Sequence, residues 1–183
     1  MSRKNLFVIQ KHDATTLHYD FRLRAGDVLV SWAVPKGLST AANEKRLAIR
    51  VDDHEIDYAD FEGVIPEDEY GAGTVMIWDK GTYEPMSGEK DGADSGIKEA
   101  IEQGSLKFKL NGEKIQGGYA MAKTGTRDGK DEWVIFKLDD KHADARRNPT
   151  RTEPDSVATG RSMDEIEEEG EEEGDEPGED EDG

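Results

Sequence analysis

Between His18 and Arg24 polar and apolar residues alternate without interruption: His18, Asp20, Arg22 and Arg24 on one parity, Tyr19, Phe21 and Leu23 on the other. Successive side chains of an extended strand point to opposite faces. One face of this pattern therefore enters a core while the other lines up imidazole, carboxylate and guanidinium groups. The alternation returns at 46–54, where Arg46, Ala48, Arg50, Asp52 and His54 interleave with Leu47, Ile49 and Val51. Further strands are predicted over residues 6–10, 28–34, 74–78, 81–85, 106–110, 117–123 and 133–138. Turns at 25–27, Pro35-Lys36-Gly37, Asp79-Lys80 and Asn111-Gly112 separate them, Asp79-Lys80 joining two strands as a hairpin. A short helix is expected with Asp94 or Ser95 as its cap, Ile97, Ala100 and Ile101 on its apolar face and Gly104 at its end. Residues 38–44 and 87–94 read as polar loops. The glycines of 62–73 lack the strand-then-helix setting of a phosphate-cradling loop and read as turn formers.

Nine or so short strands with one or two short helices predict a mainly β fold, a compact antiparallel β-barrel over residues 1–142. After His142 apolar content collapses, and residues 143–183 become rich in Arg, Thr and Pro and then in Glu and Gly. Blocks of like charge repel and bury too little apolar area to offset chain entropy, so a disordered acidic C-terminal tail is expected there.

Charge changes the picture only when its distribution is considered. The formal net charge of −19 speaks against a nucleic-acid partner, yet residues 162–183 hold 14 acidic side chains and no basic ones. The other 161 residues carry 29 acidic against 24 basic groups, a balance of −5 that leaves room for a local basic groove. No apolar run approaches the ~20 residues needed to cross a bilayer, and the N-terminus lacks a secretory signal, so a cytoplasmic protein without membrane contact is expected. There is no cysteine. Disulfides, thiolate ligands and cysteine nucleophiles are thereby excluded, and any metal must be held by His, Asp, Glu, backbone or water.

Two of the four histidines fall within seven residues, His12 and His18, with Asp20 close behind. His18 and Asp20 stand roughly 6.5 to 7 Å apart along a strand, near enough for both side chains to lean onto one ion. Three such ligands on one side of an ion leave its other positions open, which is the catalytic arrangement. The donor types suit Mn²⁺, Fe²⁺, Co²⁺ or Zn²⁺. Placed on one cleft, the two alternating strands would assemble His12, His18, Asp20, Arg22, Arg46, Asp52 and His54, with Arg22 and Arg46 as a phosphate clamp. Arg46 and Arg50 can also be read as charges guarding a strand edge, and His142 as a surface residue. A second chemistry fits the same residues: His18-x-Asp20 with His54 downstream matches a two-His-one-carboxylate Fe(II) oxygenase.

Three stretches carry a more specific signal: Phe7-Val8-Ile9-Gln10-Lys11-His12-Asp13-Ala14-Thr15-Thr16-Leu17-His18-Tyr19-Asp20-Phe21-Arg22-Leu23, then Trp32-Ala33-Val34-Pro35-Lys36-Gly37, then Asp53-His54 with Asp57-Tyr58-Ala59-Asp60-Phe61-Glu62-Gly63. Over about residues 5–141 the chain resembles the 3′-phosphoesterase module of the bacterial DNA ligase D enzymes and its stand-alone archaeal and bacterial relatives. The resemblance implies a β-barrel hydrolase of DNA repair by non-homologous end joining. Such an enzyme depends on manganese, with Co²⁺ or Zn²⁺ as substitutes, and heals DNA or RNA-tipped 3′ ends. It acts first as a 3′-ribonucleoside phosphodiesterase and then as a 3′-phosphomonoesterase. It also implies metal ligands at His12, His18 and Asp20, phosphate-binding groups at Arg22, Arg46 and His54, and substrate contacts at Lys36 and Tyr58. Asp52 departs from the glutamate usual at its position, which bears on the diesterase step. A monomer working with a separate ligase or polymerase completes the expectation, and the alternative to catalysis is a non-catalytic module that binds DNA ends and recruits a ligase.

Overall fold

The computed structural model describes residues 5–69, 71–86 and 93–174. Its strands are β1 (Leu6–Asp13), β2 (Leu17–Ala25), β3 (Val28–Val34), β4 (Arg46–Glu55), β5 (Gly63–Ile65), β6 (Gly73–Pro85), β7 (Ser105–Gly112), β8 (Gln116–Arg127) and β9 (Lys130–Lys137). They form one antiparallel sheet in the order β1-β2-β3-β4-β9-β8-β7-β6-β5. Because β1 also pairs with β6, eight of them close into a ring, with β5 added at the side. Helix α1 spans Ala93–Gln103, α2 Pro149–Thr152 and α3 Met163–Gly174, and a 3-10 turn covers Ile56–Asp60. The fold is thus the mainly β antiparallel barrel that the alternation predicts. Residues 87–92 of the expected polar loop lie outside the described residues, and α1 already contains Asp94 and Ser95, so neither precedes it as a cap.

The odd residues of β2, Tyr19, Phe21 and Leu23, fill the barrel with Phe7, Trp32, Trp78, Phe108 and Trp133. Phe21 stacks on Phe108 at 5.7 Å and sits 6.1 Å from Trp32. Strand β1 reads as a continuous apolar run because both of its faces are buried. Phe7 and Ile9 enter the barrel, while Leu6 and Val8 join Leu29, Ala59 and Ile77 in a second cluster outside it, covered by Ile56, Tyr58 and Val157. The polar row is covered on the same outer side, which is why Asp20 and Arg22 are buried rather than solvated.

Three sequence expectations give way. The hairpin at Asp79-Lys80 does not form; β6 is a single strand with an irregularity opposite Ile9 and Gln10. Asp79 is fully buried there, and its carboxylate accepts N–H bonds from Glu113, Lys114 and Ile115, fixing the β7–β8 loop. That loop is longer than a two-residue Asn-Gly turn: Asn111 pairs with Gln116, and Gly112 donates to the carbonyl of Ile115. Gly112 is required by close approach, since a Cβ there would lie 2.3 Å from Asp79 Oδ2.

The third difference lies beyond residue 142, where an unstructured tail is expected. Residues through 174 instead pack on the barrel. Thr40 Oγ1 donates to the carbonyl of Asp144, Trp78 Nε1 to that of Glu153, and Val157 N to that of Ile77. Ile166 of α3 joins the barrel core. Low local hydropathy conceals this because the segment uses backbone groups and a few apolar anchors rather than a periodic face. The remaining acidic residues, 175–183, lie outside the described residues. Among the described residues no helix is long and apolar enough to cross a membrane.

Candidate metal and phosphate site

The outer faces of β1 and β2 bring the polar row together by register. Gln10 pairs with Asp20, His12 with His18 and Val8 with Arg22, while on the other side of β2 Asp20 faces Ala33 and Arg22 faces Ser31 of β3. His12 Nδ1 lies 3.4 Å from Asp20 Oδ2, and His18 Nε2 lies 3.1 Å from Asp20 Oδ1. One ligand atom from each of His12, His18 and Asp20 falls within 4.8 Å of the others. These are the three residues that the sequence puts forward as metal ligands.

The surroundings fit a divalent cation. His12 Nε2 is 3.2 Å from the carbonyl of Ala72, and His18 Nδ1 is 3.1 Å from that of Thr16. With the proton on the nitrogen beside the carbonyl, each imidazole would present the lone pair of its other nitrogen to a cation held beside Asp20; without the cation that same nitrogen can donate to the carboxylate. Burial raises the pKa of Asp20, but hydrogen bonds from His12 and His18 and the charge of Arg22 outweigh it, holding the carboxyl well below the usual range. The anion is therefore present at any working pH. Burial acts downward on His18, and the Asp20 hydrogen bond and charge overcome it, raising its pKa.

Arg22 is 2% exposed and its guanidinium is fixed on every side. Its Nε donates to Gln10 Oε1 at 2.6 Å, Nη1 to Ser31 Oγ at 2.9 Å, and Nη2 to Asp20 Oδ2 at 3.2 Å. Nη1 also stands 3.1 Å from His54 Nδ1, and the guanidinium carbon lies 4.9 Å from the centre of the Tyr58 ring. Gln10 in turn donates to the carbonyls of Tyr58 and Phe61, so one amide ties Arg22 to the segment that covers the site. Gln10 and Ser31 are functional neighbours that sequence reasoning missed. Gln10 shares the parity of His12 on β1, and that phase is hidden by Leu6 and Val8.

His54 reaches this face through a bulge. Ser31 pairs with Val51 but Leu29 with His54, so β4 spends three residues where β3 spends two. The extra residue reverses the parity of everything after Val51. Read as one unbroken alternation, Arg46 and Asp52 share a face with His54; the structure separates them. Ala48, of the same parity as Arg46, is buried in the barrel core, and Arg50 lies over Trp32. Arg46 donates to the carbonyls of Lys36 and Gly37 and lines a groove with Pro35, Lys36, Glu44, Lys45 and Leu47. Exposed Asp52 lines a different groove with Arg50, Asp53 and Lys130, and only its carbonyl meets His54.

The structure thus joins His12, His18, Asp20, Arg22, His54 and Tyr58 around one cavity of about 330 Å³, and leaves Lys36, Arg46 and Asp52 outside its lining. Ala14, Ala33, Val51 and Ile65 supply its apolar walls. Tyr58 lies between His54, 4.7 Å away, and Phe61, stacked at 5.4 Å. Burial and the charge of Arg22 lower the pKa of His54, favouring neutral imidazole. The pattern His18-x-Asp20 with His54 is not the donor group found among the described residues, which has His12 in place of His54 and is likewise two histidines and a carboxylate.

The sequence profile of the DNA Ligase D 3′-phosphoesterase domain matches residues 10–123. The multifunctional non-homologous end joining protein LigD of Pseudomonas aeruginosa is 42% identical over 159 residues, covering 86% of this chain and 18% of that protein. The corresponding figures are 46% over 134 residues, 73% and 16%, for the multifunctional non-homologous end joining DNA repair protein LigD of Mycobacterium tuberculosis. For LigD of Mycolicibacterium smegmatis they are 44% over 139 residues, 74% and 17%. The chain spans less than a fifth of the length of these curated relatives.

Proposed function

The chain belongs to the DNA Ligase D 3′-phosphoesterase domain family, and from that premise we propose that it is a manganese-dependent hydrolase that heals the 3′ ends of broken DNA for non-homologous end joining. The observation that carries this reading is the convergence of His12, His18 and Asp20 donor atoms within 4.8 Å, directly beside the Arg22–His54 pair. His12 Nδ1, His18 Nε2 and an Asp20 oxygen would hold the cation, with Co²⁺ or Zn²⁺ able to replace Mn²⁺. When bound, the cation supplies Lewis-acid neutralisation of charge on a phosphate.

The chain's own groups do the rest. Arg22, locked by Gln10, Ser31 and Asp20, offers a preorganised positive charge to the phosphoryl oxygens at no cost in reorganisation. His54 Nδ1 sits 3.1 Å from both Arg22 Nη1 and the carbonyl of Asp52. When Nδ1 accepts from Arg22, the proton resides on Nε2, which can hydrogen-bond a phosphoryl oxygen; protonation of the departing 3′ oxygen uses instead the imidazolium form, whose Nδ1 proton goes to the carbonyl of Asp52. Hydrolysis of a 3′-phosphate adds water across the P–O bond and leaves inorganic phosphate and a 3′-hydroxyl. Removal of a terminal ribonucleoside by the same addition leaves the 3′-phosphate for that second step. The side chain of Asp52 faces away, so its departure from glutamate leaves both activities in place.

Lys36 and Arg46 lie in their own groove and are assigned to the upstream backbone rather than to the transferred phosphate. A monomer in the cytoplasm, handing its product to a ligase or polymerase, completes the proposal. The test is an end-labelled primer with a 3′-phosphate or a 3′-ribonucleotide, incubated across divalent cations. Release of phosphate with Mn²⁺, lost in His18→Ala and Arg22→Ala, supports the reading. Undiminished activity in either variant refutes the site assignment, and end-binding without turnover makes the protein a recruiting module instead.

A further inference from the structure

One wall of the pocket is the stretch of chain between β4 and β6, which supplies Tyr58 from the 3-10 turn and Ile65 from β5. Strand β5 is three residues long and pairs with residues 73–75 of β6, while β7 takes up the same edge of β6 from Gly81 onward. Ile77 falls between the two. It is buried, so its backbone N–H and carbonyl need partners. Two groups from outside the sheet provide them: the N–H donates to Glu62 Oε1 at 2.8 Å, and the carbonyl accepts from Val157 N at 3.0 Å. Glu62 joins the turn to β5, so its carboxylate pins the pocket wall to the barrel.

A carboxylate whose side chain is 5% exposed needs further partners to stay ionised. Glu62 finds them in the C-terminal segment, its Oε2 accepting from Thr159 Oγ1 at 2.6 Å and from Arg161 Nη2 at 3.0 Å. The loop that presents them is closed on itself. Ser156 N donates to the carbonyl of Arg161 and Gly160 N to that of Ser156, while Ser156 Oγ accepts from the N–H groups of Ala158 and Thr159. Val157, one residue along, packs against the outer cluster together with Ile56 and Tyr58. Thr159 and Arg161 lie beyond the residues 10–123 that match the family profile, and neither lines the pocket.

We infer that Thr159 and Arg161 are positioning residues of the site, acting through Glu62 on the Tyr58 turn. Tyr58 stands 4.9 Å from the guanidinium carbon of Arg22 and 4.7 Å from His54, so a displaced turn changes the wall against which a phosphate ester is seated. Gln10 holds this turn from within, and Glu62 holds it from outside. Loss of the outer hold leaves the cation ligands untouched, because they sit on β1 and β2. The kinetic effect rests on the phosphoesterase reading; the hold on the turn does not.

The test uses the full chain and two readouts. One is steady-state phosphate release from a 3′-phosphate primer with Mn²⁺, and the other is amide exchange at Phe61, whose N–H donates to the carbonyl of Tyr58. In Arg161→Gln, KM should rise about tenfold with kcat within about twofold of wild type. Exchange at Phe61 should quicken at least about tenfold while the β2 amides stay protected. Arg161→Lys keeps a charge for Glu62 and should recover most of the wild-type KM. Glu169→Gln removes the other carboxylate that Arg161 meets, at the surface, and should leave both readouts at wild type. In a Tyr58→Ala background Arg161→Gln should add less than about twofold to KM, because its route of action is gone. A purely structural loss would reduce the amount of active protein, and hence kcat, with KM unchanged. That result, a KM rise as large in the Tyr58→Ala background, or unchanged exchange at Phe61 overturns the proposal. Wild type that releases no phosphate sinks the phosphoesterase reading alone, and exchange at Phe61 then decides the positioning by itself.

Discussion

Asp20 holds the site at the scale of single residues, since it faces both imidazoles and the Arg22 guanidinium at once. Replacing it by Asn keeps the shape and removes the charge, so titration with Mn²⁺ should show at least about a 100-fold loss of affinity, beyond what losing an outer-shell partner does. Gln10 acts one step away. Gln10→Ala removes the acceptor of Arg22 Nε and one donor to each of the carbonyls of Tyr58 and Phe61, and a denaturant titration should show a loss of about 1–3 kcal/mol with cation affinity kept. His54 sets a pH dependence. Its folded pKa is depressed from 6.5 by burial and by Arg22, so the folded chain binds fewer protons there than the unfolded chain as pH falls below 6.5. The stability this contributes is present above that value and is lost as pH drops through the folded pKa. Wild type should therefore lose stability more steeply than His54→Gln between about pH 6.5 and 5. Parallel losses would remove His54 as the cause.

At the scale of elements, the bulge in β4 decides which face His54 serves. Asp53→His combined with His54→Asp moves the imidazole one residue back, to a position whose side chain meets Arg50 in a different groove rather than Arg22. Cation binding through His12, His18 and Asp20 should persist, while phosphate release falls by about 100-fold or more, the size of a lost general acid. This is also where the sequence was least legible. The β2 row was readable because its inner parity is wholly apolar, Tyr19, Phe21 and Leu23, and its outer parity wholly polar. The same rule applied to residues 46–54 put Arg46, Asp52 and His54 on one face, because a single extra residue between strands leaves no mark in the alternation. In β6 the Asp-Lys pair looks like a turn, yet a buried carboxylate paired with three loop N–H groups serves better inside a strand than at a hairpin tip.

For the whole molecule, the barrel was legible and its boundary was not. Strand count and patterning pointed to a closed antiparallel sheet, whereas the charge of residues 143–183 masked an anchoring segment held by Trp78, Thr40 and Ile166. Ile166→Ala should cost about 2–5 kcal/mol in chemical denaturation if α3 belongs to the barrel's cooperative unit. A change below about 0.5 kcal/mol would return residues 143–174 to the status of an independent tail.

The most direct measurement of the central claim is phosphate release from an end-labelled 3′-phosphate primer by chelated protein, before and after adding back Mn²⁺. Wild type should be silent when chelated and active on add-back, and Asp20→Asn silent in both conditions. Turnover that persists without the cation, or that returns in Asp20→Asn, would contradict it.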